Sequence, residues 1–178
     1  MSVELHEDLR SCLQEGPIGP MIHHPLIVDL FAVPDYYDNL NRRYAAVCER
    51  VDIALAKGDY SGYVFWHEKP YRAEALFEVA HDIEDDAEFW RLVSETWAGS
   101  ENIFQNVDIW VDLLCSDRSG REAMMSADEQ QALADMPEKF TVYRGTVERY
   151  RDDGGLSWTT DYDKAEWFAE RFEAEDSV

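Results

Sequence analysis

Apolar residues recur at intervals of three and four from the N-terminus to about residue 136, and beyond Pro137 that period gives way to two short β-prone runs and a last helical stretch. A three-to-four spacing lines side chains along one face of an α-helix, so it restricts most of the chain to amphipathic helices that share a core. With 46% hydrophobic and 13% aromatic content over 178 residues, the chain has enough apolar material for one domain, or one domain with a small appendage. That composition argues against intrinsic disorder.

Leu5, Leu9, Cys12 and Leu13 predict a short first helix, ended by the Gly-Pro-Ile-Gly-Pro run at 16–20; a Pro-bounded segment follows around Leu26 to Val33. Tyr37, Leu40, Tyr44, Val47, Val51 and Leu55 trace one face of a second helix that Gly58 closes. The aromatic stretch Tyr60–His67 reads as a loop or short strand. Ala73, Leu76, Phe77, Ala80, Ile83, Ala87, Trp90 and Trp97 hold the helical period from about 70 to 98, which predicts one long helix ended by Gly99. Ser100 is placed to cap a further helix through Ile103, Val107, Trp110 and Leu114. Ser126 with Glu129 spells a capping box before a short helix that Pro137 stops. Phe140–Gly145 and Leu156–Thr160 read as strands joined by a polar turn from Arg149 to Gly155. Thr160 with Asp163 then caps a final helix whose Ala165, Phe168, Ala169 and Phe172 share a face.

Charge narrows function more than it narrows fold. The chain holds 16 basic and 38 acidic residues, a formal charge of −22, of which −17 belongs to residues 1–140. Such a chain repels phosphate backbones and attracts basic surfaces in a salt-dependent way, so direct nucleic-acid binding is the class it most disfavours. Seven carboxylates with no intervening Lys or Arg, Glu74, Glu78, Asp82, Glu84, Asp85, Asp86 and Glu88, form the candidate partner-binding set. On one continuous helix, Glu74, Glu78, Asp82 and Asp86 would stack as a column opposite Leu76, Phe77, Ile83 and Trp90. Like charges so placed destabilise a helix by a few tenths of a kcal/mol per pair, roughly 5–6 Å apart, with nothing local to offset the repulsion. That spacing is comparable with the phosphates a basic groove tracks, so the face is read either as a nucleic-acid mimic or as an ordinary solvated helix face. No metal site is expected: the carboxylates lie along a rod, His81 is a single ligand, and the adjacent His23 and His24 beside Pro25 belong to a loop. Cys12, Cys48 and Cys115 are odd in number and far apart, and read as buried reduced thiols. No leader-like or membrane-spanning apolar run is visible, which predicts a cytoplasmic protein.

The C-terminal residues carry a family resemblance. Val142-Tyr-Arg-Gly, then Ser157-Trp-Thr-Thr, then the helix with Ala165-Glu-Trp-Phe-Ala, resembles the opening of the arginine–serine–glutamate class of ADP-ribosyltransferases, and most of all its phage-encoded members. The resemblance covers residues 140–172. It implies that Arg144 and Gly145 meet NAD phosphates and ribose, and that Ser157 and Thr159 brace the nicotinamide pocket. It also implies a catalytic glutamate after further strands; the chain ends six residues after Phe172, and Glu173-Ala-Glu175 spells the motif directly after the helix, where the family does not have it. No catalytic residue is therefore assigned. The expected architecture is α+β and mostly helical: an acidic helical region, 1–139, packed on a two-strand-plus-helix ADP-ribosyltransferase-like fragment, 140–178. The expected function is an acidic phage or mobile-element inhibitor, similar in mode to anti-CRISPR proteins, that binds a basic nucleic-acid-binding host complex without a cofactor. The alternative is an active mono-ADP-ribosyltransferase that uses NAD.

Overall fold

In the computed structural model the chain is α+β and mostly helical, with one three-stranded antiparallel sheet. The structure describes residues 3–100, 103–146 and 155–175, the last four of these as backbone only. The chain divides into two compact units, Met1–Met125 and Ser126–Val178. Among the described residues no helix is long and apolar enough to cross a membrane.

The first unit opens with α1 (Glu7–Ser11), shorter than the apolar spacing predicts because Leu13 leaves the helix to start a strand. β1 (Leu13–Gly16), β2 (Gly19–His24) and β3 (Ile27–Asp29) pair in that order. The Gly-Pro-Ile-Gly-Pro run is thus a hairpin turn rather than a helix stop. Gly16 pairs with Gly19 across Pro17 and Ile18, and Gly19 has φ 131°, a backbone that disfavours any side chain. At Gly16 a Cβ would collide with the Met21 sulfur. Ile22 and Ile27 then bury against Leu5, Leu9, Ala32, Leu40 and Tyr44 to form one core.

α2 (Tyr37–Ala56) runs where the sequence predicts it and ends at Gly58, whose φ of 66° suits a helix stop. Leu55, predicted on the inner face, is instead 46% exposed. Tyr60–His67 is corrected outright: α3 (Tyr60–Trp66) is a helix, because the Asp59 carboxylate accepts from the Gly62 N–H at 2.8 Å and Tyr63 and Val64 bury. Local β preference loses to a cap and to packing.

The long helix expected from 70 to 98 is also overturned. A 3-10 turn at Lys69–Tyr71 leads into α4 (Arg72–Val79), the chain breaks, and α5 (Asp86–Gly99) begins afresh. Asp85 causes the restart: its carboxylate accepts from Ala87 N–H at 2.8 Å and Glu88 N–H at 3.3 Å. Ile83, in the break, is buried all the same. Ser100 does not cap the next helix, since its hydroxyl donates to the Thr96 carbonyl at 2.7 Å. A 3-10 turn, Ile103–Asn106, instead precedes α6 (Val107–Leu114). Phe89, Trp90, Leu76, Val93 and Trp110 form the second core, with Trp97 edge-on to Trp110 at 5.0 Å. The sheet is tied to this part by Glu68 N–H to Pro25 O at 2.8 Å and by the Tyr71 hydroxyl to His23 O at 2.9 Å.

Thr96 is wholly buried on α5, and its hydroxyl has no hydrogen-bond partner among the described residues. An unpaired buried hydroxyl costs about 1–3 kcal/mol. Thr96→Val is therefore expected to raise stability by about 1 kcal/mol in denaturant unfolding at unchanged slope. A lowered midpoint would mean that the hydroxyl is bonded.

The second unit begins with α7 (Ala127–Ala134), where the capping box forms as read: Ser126 Oγ accepts from Glu129 N–H at 3.3 Å, and the Glu129 carboxylate accepts from Ser126 N–H at 2.7 Å. The two expected strands shrink to one antiparallel bridge between Tyr143 and Thr159. α8 (Tyr162–Glu175) follows, begun by Asp161, which accepts from Lys164 N–H at 3.1 Å, rather than by Thr160. Ala165 is buried on this helix while Phe168 is 37% exposed. The polar turn expected over 149–155 lies, up to residue 154, outside the described residues, as do the side chains of Phe172, Glu173 and Glu175. The cysteines are unpaired, but Cys12 and Cys48 are half-buried and Cys115 exposed, because Cys115 ends α6 rather than lying on its inner face.

Candidate functional site

The break between α4 and α5 dismantles the carboxylate column and gives its members separate duties. Glu74 is half-buried on α4. Glu78 accepts from the Tyr63 hydroxyl at 2.8 Å; burial first, and this bond second, push the Tyr63 phenol up to about 12. Asp82 and Glu84 are exposed in the turn. Asp85 caps α5, and Glu88 is half-buried in its first turn, where a negative charge suits the helix dipole. Asp86 accepts from Ser119 Oγ at 2.7 Å, Ser119 N–H at 3.2 Å and Arg118 Nη1 at 3.1 Å. The Ser119 hydroxyl, then the Arg118 guanidinium, hold Asp86 below the usual carboxylate range. The repulsion expected of a continuous rod is thus relieved by breaking the rod and by partners far along the chain.

Arg118 organises the turn, and the sequence reading did not single it out. Its guanidinium donates to Ala80 O and Ile83 O, both at 2.7 Å, and to Asp86, and lies 4.6 Å from the Phe89 ring centre. It therefore closes the carbonyls left open where α4 ends. A signal was present: Arg118 and Arg121 are the first cations after Arg91, downstream of a cation-free acidic stretch. Beside it, Phe77 of α4 and Ala80 just past its end share a cleft with Asp112, Leu113 and Asp117.

A second cluster that the sequence did not announce surrounds Tyr44. Its hydroxyl donates to Asp8 at 2.8 Å, and the His6 and His24 rings each lie 5.0 Å from its ring. Burial, then the bond to Asp8, raises the Tyr44 phenol; burial lowers His24. Among the described residues no three metal-ligating side chains converge.

In the second unit, Tyr143 and Thr159 exchange two backbone hydrogen bonds, 2.7 and 2.9 Å, which brings the backbone at Arg144 alongside that at Trp158. The Arg144 guanidinium lies against Gly155, where a Cβ would strike it. Trp158 is held by its indole N–H to Gly155 O at 2.9 Å and is 58% exposed. Thr159 Oγ1 accepts from Asp161 N–H at 3.1 Å, and Ser157 is exposed. Gly145 packs on α8 so closely that a Cβ would meet the Ala165 carbonyl. The close approach this glycine permits here is therefore to a helix. No family model, curated protein or solved structure matches this chain.

Proposed function

We propose that this chain is an acidic binding protein of phage or mobile-element type, acting in the host cytoplasm without a cofactor. It occupies the basic, nucleic-acid-binding surface of a host or defence complex in the manner of an anti-CRISPR nucleic-acid mimic, and carries an ADP-ribosyltransferase-like C-terminal scaffold. The observation that carries this reading is how charge is distributed in the Met1–Met125 unit, which holds 24 acidic and 10 basic residues. Three of its arginines are directed at the fold itself: Arg72 donates to His67 O and stacks on Phe65, Arg121 donates to Leu114 O and stacks on Trp90, and Arg118 closes the turn. Asp82 and Glu84 meanwhile project into solvent. A surface so arranged draws basic partners and repels nucleic acid.

The test must leave Glu78, Asp85 and Asp86 untouched, because each supports the fold. Asp82→Lys/Glu84→Lys is expected to keep its thermal midpoint yet lose at least tenfold in capture of a basic nucleic-acid-binding complex from host extract. The wild-type capture should weaken with salt and be displaced by duplex DNA or RNA. Capture that survives the double reversal, or ignores salt and nucleic acid, overturns the reading. A parallel incubation with labelled NAD addresses the alternative, mono-ADP-ribosyl transfer, which Arg144, next to the Tyr143–Thr159 bridge and against Gly155, favours. Label transfer that Arg144→Ala abolishes would replace the inhibitor by the enzyme.

A further inference from the structure

We infer that the cleft between the C-terminal ends of α4 and α6 is a receptor for an arginine side chain presented by a basic polypeptide partner; the inference rests on the reading of this unit as a binder of basic proteins. Phe77, Ala80 and Leu113 give the cleft an apolar lining, and Asp112 and Asp117 stand at its edge. The two carboxylates are exposed, and Phe77 leaves 38% of its surface to solvent although it belongs to a helix whose neighbours Leu76 and Val79 are buried.

This combination suits one kind of occupant. A purely apolar segment would strip water from Asp112 and Asp117 without replacing their hydrogen bonds. Anionic ligands are repelled by the two carboxylates, and Arg118, which shares the lining with His81, is already committed to Ala80 O, Ile83 O and Asp86. A basic side chain satisfies both parts, laying its methylene stem on Phe77 and Ala80 and its charge on the carboxylates. Arginine fits better than lysine, because a planar guanidinium stacks on an aromatic ring and binds a carboxylate through two donors. Among its described residues the same unit already uses this contact four times, with Arg50 on Trp66 at 4.4 Å, Arg72 on Phe65 at 4.9 Å, Arg118 on Phe89 at 4.6 Å and Arg121 on Trp90 at 4.8 Å. Phe77 is an exposed ring beside two carboxylates, the arrangement that a fifth guanidinium, from outside, would complete.

The experiment uses the full chain with two probes, hexa-arginine and hexa-lysine peptides of equal charge, titrated calorimetrically at fixed ionic strength. Hexa-arginine is expected to bind at least fivefold more tightly than hexa-lysine. In Asp112→Asn/Asp117→Asn and in Phe77→Leu the preference should fall to within twofold, with thermal midpoints near that of the parent. Equal binding of the two peptides by the parent, or a preference that survives all three substitutions, overturns the receptor. The host-complex capture described above separates this from the wider reading. Capture lost on Asp82→Lys/Glu84→Lys, together with no arginine preference, leaves the acidic binder standing and removes the cleft. An arginine preference that depends on Asp112, Asp117 and Phe77, with no basic host complex captured, does the reverse.

Discussion

Replacing Trp90 with alanine is expected to destabilise the Met1–Met125 unit by about 3–5 kcal/mol, the range for emptying a large aromatic from a packed core. Trp90 is 0% exposed, so the whole indole volume becomes a cavity that its neighbours can close only by shifting. Phe89 packs edge-on to the indole at 5.0 Å and loses that contact. The indole N–H also donates to Ser119 O at 2.8 Å, and Arg121 lies 4.8 Å over the ring. One side chain thus anchors the loop that delivers Arg118 and Ser119 to Asp86. Denaturant unfolding, monitored by tryptophan emission and far-UV dichroism together, measures the loss. Trp90→Phe isolates the polar share, since it keeps most of the apolar volume and drops the N–H; it should cost about 1–2 kcal/mol. A Trp90→Ala loss below about 1 kcal/mol would mean that the core around α5 is not packed as described.

The contrast between what the sequence announces and what it conceals follows the range of the interactions involved. α2 and the Ser126–Glu129 box were legible because period and cap are local, and both signals lie within a few residues of the element they define. The hairpin at Pro17–Ile18 was not, because Gly-Pro-Ile-Gly-Pro fits a helix stop and a two-residue turn equally well. Deciding between them needs the β1–β2 pairing. The break after α4 was hidden for a subtler reason: Ile83 and Trp90 keep helical spacing from Leu76 even though the chain between them is not helical. Asp85, the residue that restarts the helix, is masked by six other carboxylates. The acidic surface itself was legible, but which carboxylates are available was not, since Glu78 is held from Tyr63, fifteen residues away, and Asp86 from Arg118 and Ser119, more than thirty away. In the second unit, the motif residues Arg144 and Thr159 do come to neighbouring backbone positions, whereas the β-structure around them is confined to one bridge.

Arg118→Met is expected to destabilise the same unit by about 2–4 kcal/mol, as follows from removing a charged donor that serves several acceptors at once. Methionine keeps the stem against Phe89 but leaves Ala80 O and Ile83 O without the donor that closes them and Asp86 without its cation. Arg118→Lys restores the charge without the fork, so it should recover less than half of the loss; one ammonium cannot reach both carbonyls and the carboxylate in the same geometry. Amide exchange should quicken first around residues 80–88, ahead of α2, because the change strikes the turn before the core. The acid side of the stability curve supplies an independent reading. Asp86 is depressed in the folded chain, so its contribution is complete above the ordinary carboxylate range and disappears as pH falls through its lowered value. With Arg118 gone, the folded value moves back toward the ordinary one, so the acid loss from this group should become smaller and end at higher pH, while the Ser119 hydroxyl, the larger cause, retains part of the depression. An acid limb that does not move in Arg118→Met, or a Lys variant as stable as the parent, would show that the turn is held by Asp85 capping and Ile83 burial rather than by the guanidinium. The surface on which Asp82 and Glu84 are displayed would then owe its shape to the helix ends alone.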